Sequence, residues 1–181
     1  MGVRTFYLVM SQTGTWLSRV IKVYTKEDYN HISISLKNAL NPMYSFGRIN
    51  PTNPFSAGFV LEDINDGVFR IFPKCRCVVY KLEISNKQYS RLKAVIKEFE
   101  LNKHKYRYNL LGLIYVAFNL DRKRRDHYFC SQFVAEVIQR SGIYDFKKPS
   151  NLITVKDFAQ IPNISLVFEG FTQNVYRWQT V

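Results

Sequence analysis

Cysteine is scarce in this chain of 181 residues, and the three present, Cys75, Cys77 and Cys130, are too few for a disulfide framework. Cys75-Arg76-Cys77 is a C-x-C, not a C-x-x-C, and lies in a β-patterned run (71–82) where both thiols share a face. With no second Cys or His pair at ligand spacing, these two read as buried strand cysteines rather than metal ligands. Long apolar runs are also missing. The longest, 110–118, falls well short of the roughly 18 residues of a membrane helix and contains Gly112. The N-terminus has neither a long apolar segment nor a small-residue cleavage site, and position six, which a myristoylation signal needs as Ser or Thr, is Phe6. The expectation is a cytoplasmic protein with reduced thiols. Glycine (8) and proline (6) are few, and 46% hydrophobic residues exclude a disordered or collagenous chain. Acidic residues are outnumbered 14 to 26, a net charge of +12. The length suits one domain spanning 1–181, with no repeat and no linker.

What is present orders itself into strands and then helices. Residues 6–10 read as a strand, 15–24 as an amphipathic helix on Trp16, Leu17, Val20, Ile21 and Tyr24. His31-Ile32-Ser33-Ile34-Ser35-Leu36 alternates with period two, a strand with a histidine at its start. Turn formers at 38–42 lead to a second extended stretch, 43–46. Segments 58–64 and 68–72 flank Asn65-Asp66-Gly67, which predicts a hairpin, and 75–84 is a further strand. From Ser85 the period changes to helical, with Ser85 or Asn86 as cap and Tyr89, Leu92, Val95, Ile96 and Phe99 on one face. Helices are predicted at 108–120 and at 129–141, the latter stopped by Gly142, then a helical turn at 155–159 and a last strand at 165–168. The fold class is α+β, an antiparallel sheet packed against helices.

Cys130 stands where the extended segment His127-Tyr128-Phe129 enters a helix. A thiol there faces the positive end of the helix dipole, which favours the thiolate, and the free N–H groups can hold an oxyanion. Its base must come from three histidines. His31 opens a buried-looking strand, His104 lies in the solvated run Lys103-His104-Lys105, and His127 sits in a charged loop. Against this stands the plainer reading of a small buried cysteine and a structural strand histidine.

The chain resembles the circularly permuted papain-like hydrolases, the branch of the NlpC-type superfamily that includes YiiX-like bacterial proteins and, more distantly, lecithin retinol acyltransferase. The likeness runs through Thr13-Gly14-Thr15-Trp16-Leu17-Ser18-Arg19, Tyr29-Asn30-His31-Ile32-Ser33-Ile34, Tyr108-Asn109-Leu110-Leu111-Gly112-Leu113, Tyr128-Phe129-Cys130-Ser131-Gln132-Phe133 and Leu166-Val167-Phe168-Glu169-Gly170. It implies a cysteine hydrolase or acyltransferase acting on an amide, ester or thioester carbonyl, with Cys130 as nucleophile and His31 as general base. In that group a polar residue follows on the strand after the histidine, a carboxylate in the YiiX-like members. The matching stretch here, Met43-Tyr44-Ser45-Phe46-Gly47-Arg48, offers only Ser45. Ser45, Glu62 on a nearby strand, and a backbone carbonyl or another residue all stay open as the group that orients the imidazole. Arg48 is a candidate for the pocket rim, facing a substrate carboxylate or phosphate, beside the plainer reading of a surface arginine. No metal or organic cofactor is implied, because thiolate and imidazole suffice for acyl transfer. Peptide, lipid or other acyl substrates are all compatible.

The basic runs 103–107 and 122–125 bracket the helix expected at 108–120 and are placed at its opposite ends. Net positive charge draws such a protein to nucleic acid, anionic lipid or anionic polymers, although no RNP, KH or helix-turn-helix signature accompanies it. The alternative function is a noncatalytic basic binding module on the same fold, and a solvated basic face is the plainest reading of the runs.

Overall fold

A computed structural model describes residues 2–12, 28–50, 56–109 and 125–179. Among these, six strands form one antiparallel sheet: β1 (Val3–Gln12), β2 (His31–Ser35), β3 (Met43–Arg48), β4 (Ala57–Glu62), β5 (Arg76–Ser85) and β8 (Ser165–Phe171). Their spatial order is β4-β3-β2-β1-β5-β8, so β4 is an edge strand. A two-stranded parallel pair joins β6 (Arg107–Tyr108) to β7 (His127–Tyr128). The helices are α1 (Gly67–Ile71), α2 (Asn86–Leu101), α3 (Cys130–Arg140) and α4 (Tyr176–Gln179).

Strand alternation sorts side chains between two cores. Phe6, Leu8 and Met10 of β1 join Ile32 and Ile34 of β2 beneath α2 and α3, which contribute Leu92, Ile96, Phe99, Phe133, Val134 and Val137. Val9 points the other way, into a smaller core with Met43, Cys75, Cys77, Val79 and Phe69. Both thiols of the C-x-C therefore lie on one side of the sheet. Phe133 fastens α3 to the sheet, with ring centroids 5.5, 5.6 and 5.0 Å from Phe46, Phe59 and Phe99.

Helix α2 begins on a reciprocal cap: Gln88 N–H donates to Ser85 Oγ at 3.2 Å, and Ser85 N–H to Gln88 Oε1 at 3.0 Å. Helix α3 gives way at Gly142, whose φ of +69° is the left-handed conformation that glycine adopts without a Cβ clash. The turn at Val155–Gln160 is 3-10 helix, and β8 runs to Phe171, three residues past its expected end.

Three expectations are corrected. The segment 68–72 is no hairpin strand: after Gly67, at φ +58°, the chain forms the single-turn helix α1. That turn buries Phe69 in the smaller core and leaves Ile71 half exposed, so packing of one aromatic ring overrides the β preference of the segment. Tyr108 opens no helix; it belongs to β6, beside Tyr128. The same pairing brings the basic runs together at their described ends, since Arg107 N–H donates to the Asp126 carbonyl at 2.8 Å and places the 103–107 run beside Arg125. The helix expected at 15–24, the remainder of that expected at 108–120 and the residues 122–124 lie outside the described residues.

Candidate active site

Phe129 is extended (φ −115°, ψ 170°) and Cys130 is the first residue of α3. Helix geometry leaves the first-turn N–H groups without an intrahelical acceptor, so they surround the thiol with positive partial charge. Phe133 anchors the next turn. The thiol is buried, and its Sγ lies 3.9 Å from the Asn30 carbonyl, immediately ahead of His31.

His31 begins β2, in register with Ser11 of β1. Its Nε2 lies 2.9 Å from Glu62 Oε1 and 3.1 Å from Oε2, with side-chain exposures of only 15% and 16%. Ser33, one pleat further along β2, donates its hydroxyl to Glu62 Oε2 and stands 3.3 Å from Nε2. The Cys130 thiol lies close enough to the same imidazole to favour its protonated form.

The carboxylate arrives from the sheet edge, across β3. Gly47 of β3 makes room: a Cβ there would stand 3.4 Å from Glu62 Oε1, 3.4 Å from His31 Cε1 and 3.5 Å from Val60 Cγ2. His31 and Glu62 therefore meet over a residue that has no side chain.

Electrostatics agree with the geometry. Burial works against a charged imidazole, but the Glu62 carboxylate, the neighbouring Cys130 and the hydrogen bond with Glu62 together hold the His31 pKa well above its ordinary value. Burial likewise raises the Glu62 pKa, yet attraction to His31 and hydrogen bonds from His31 and Ser33 bring it below the usual carboxylate range. Burial pushes the Cys75 and Cys77 thiols up to about 12, although a backbone hydrogen bond with Gln12 works against burial at Cys75.

Of the acceptors considered for the imidazole, Glu62 is the one in contact. Ser45 is fully buried and donates to the Ile32 carbonyl at 2.7 Å, a bond between neighbouring strands. His104 is exposed, and His127 Nδ1–H donates to the Arg125 carbonyl at 2.7 Å, so neither joins Cys130. Arg48 is half-buried, next to Gly47, and with Glu62 lines one cleft. Tyr108 adds a phenol whose pKa is raised by burial and by the charge of Cys130, and lowered by Arg48, so it lies within electrostatic reach of both. Ser33 and Gly47 are site residues that motif reading passed over. Ser33 shares the parity of His31 in the alternating strand, which is the signal that finds it; Gly47 leaves no such mark. Among the described residues no group of three or more His, Cys, Asp and Glu is placed to hold a metal ion.

The described residues thus define an α+β fold with a Cys–His–Glu cluster at a helix start. No family model and no curated protein matches the sequence. In structure the chain is similar to the metalloprotein YiiX of Escherichia coli O157:H7, with a TM-score of 0.51 at 14% identity, covering 93% of this chain and 98% of that one. The fold is YiiX-like, and at this identity the likeness is one of fold alone. No helix among the described residues is long and apolar enough to cross a membrane.

Proposed function

We propose that the protein is a cysteine hydrolase or acyltransferase of the permuted papain-like kind, acting on an amide, ester or thioester carbonyl. One observation carries this reading: a buried imidazole is held through Nε2 by Glu62 beside Cys130, whose thiol stands at the start of a helix. The order of the parts, histidine strand early and cysteine helix late, suits the same reading.

Acyl transfer at this site would run in two halves. The Cys130 thiolate attacks the carbonyl carbon, and the π pair moves onto oxygen. First-turn N–H groups of α3 stabilise that oxyanion. Collapse breaks the bond to the leaving group, which takes the proton from the His31 imidazolium, leaving an acyl thioester on Cys130. Neutral His31 then removes a proton from water as the water oxygen adds to the thioester, and collapse expels the thiolate and releases the acid. An acceptor alcohol or amine in place of water gives acyl transfer. Glu62 holds the ring in orientation and stabilises its protonated form, which Ser45, engaged with Ile32, does not.

The test is labelling of each cysteine by iodoacetamide in the folded protein, read by mass spectrometry, followed by turnover of amide and thioester substrate libraries. Cys130 is expected to label far faster than Cys75 or Cys77, and His31→Ala to slow that labelling. Equal labelling of the three thiols, or indifference to His31, would refute the reading.

A further inference from the structure

A carboxylate withdrawn from water keeps its charge only where donors meet its lone pairs. Glu62 ends the edge strand β4 and lines a cleft of about 370 Å³ at that edge, so its carboxylate has an outward alternative. Turned outward it regains hydration but leaves the imidazole, and holding it inward takes donors within the site. His31 Nε2 has one hydrogen to give, placed between Oε1 at 2.9 Å and Oε2 at 3.1 Å. A single hydrogen divided over two oxygens fixes neither firmly.

The second donor is Ser33, whose hydroxyl bonds Oε2 and stands 3.3 Å from Nε2. Strand geometry puts it there: side chains two apart share a face, so Ser33 follows His31 on one side of β2 while Ile32 and Ile34 enter the main core on the other. Ser33 is 1% exposed, which leaves its hydroxyl little water to bond instead. Two further buried serines lie close by and do otherwise. Ser11 of β1 is in register with His31 yet bonds neither His31 nor Glu62, and Ser45 donates to the Ile32 carbonyl. Of the three, Ser33 is the one that fastens the carboxylate.

We propose that Ser33 is a positioning residue: its hydroxyl latches the Glu62 carboxylate inward, away from the cleft, and so keeps the His31 imidazole in place beside Cys130. Its part in catalysis rests on His31 serving Cys130, but the latch is decided on the histidine and the carboxylate by themselves.

The experiment follows the His31 pKa by NMR titration of the ring carbons in the parent, Ser33→Ala, Ser11→Ala, Glu62→Gln and the double variant Ser33→Ala with Glu62→Gln. Loss of the Ser33 hydroxyl frees the carboxylate to turn into the cleft, and the His31 pKa is expected to fall by about one unit, the scale of one hydrogen bond to a charged group. Ser11→Ala removes an equally buried hydroxyl from the same face and should leave the titration unchanged. In the Glu62→Gln background Ser33→Ala should no longer move His31, because no charged carboxylate is left to hold. An unaltered His31 titration in Ser33→Ala, or a shift of the same size with and without the Glu62 charge, overturns the latch. Iodoacetamide labelling of Cys130 in Ser33→Ala is read separately. A shifted titration with labelling slowed severalfold supports both the latch and the proposed chemistry, whereas a shifted titration with labelling unchanged keeps the latch and counts against His31 as the partner of Cys130.

Discussion

At His31 two forces oppose each other, and the sign of the balance sets the chemistry. Burial alone drives an imidazole toward neutrality, whereas Glu62, at 2.9 Å, restores the preference for charge. Replacing Glu62 by Gln keeps the shape and removes the charge. The expected result is a fall in the His31 pKa, followed by NMR titration of the ring carbons, together with slower thiol labelling at Cys130. Gly47 is the second decisive residue. A Cβ at 3.4 Å from both partners is ordinary contact, so Gly47→Ala should be mild. The branched side chain of Gly47→Val enters the space where the two groups meet; turnover, or Cys130 labelling in its place, should fall steeply while the circular dichroism spectrum is retained. The histidine and the cysteine were legible in the sequence because each marks an element boundary, a strand start and a helix start. The choice between Ser45 and Glu62 was not. It depends on a contact spanning three strands, and local spacing carries no information about which side chain reaches across a glycine on the intervening strand.

Among the elements, α3 has the most direct hold on the site, since its first residue is the thiol. Its position depends on Phe133, fully buried among Phe46, Phe59 and Phe99. Phe133→Ala is expected to cost about 3–5 kcal/mol, read as a lowered urea midpoint, and to loosen the approach of Cys130 to His31. The periodicity of 129–141 predicted this helix closely because an amphipathic stripe and a glycine stop are local signals. The segment 68–72 shows the opposite case. Val68 and Ile71 favour a strand, but β4 takes no strand partner from this segment, and a pocket in the smaller core accepts Phe69. Local β preference is weak beside burial of a phenylalanine, worth about 1.5–3 kcal/mol.

For the whole molecule, the His31–Glu62 pair links stability to pH. Unfolding returns His31 to about its ordinary 6.5 and Glu62 to 4.5. His31 binds its proton more tightly when folded, so its contribution is full below 6.5 and is lost as pH rises through the raised folded value. Glu62 binds its proton less tightly when folded, so its contribution is present above 4.5 and is lost as pH falls through the lowered folded value. The two overlap most fully between those ordinary values. The difference in urea midpoint between parent and Glu62→Gln should therefore be largest in that window and shrink on both sides; a difference independent of pH would contradict the assignment.

The sequence by itself determined the α+β class, the alternation that divides Ile32 and Ile34 from Ser33 and Ser35, a helix start at Ser85 or Asn86, and the placing of Cys130 and His31 at the starts of their elements. All of these are set by interactions within a few residues along the chain, where geometry is imposed by backbone periodicity. Only the tertiary structure decided that Glu62 and not Ser45 meets the imidazole, that Gly47 clears the space for them, that Arg48 lines a cleft with Glu62, and that Arg107 lies beside Asp126. Each of these depends on strand order and register, which arise from burying two faces of one sheet at once and are encoded in no single stretch of chain.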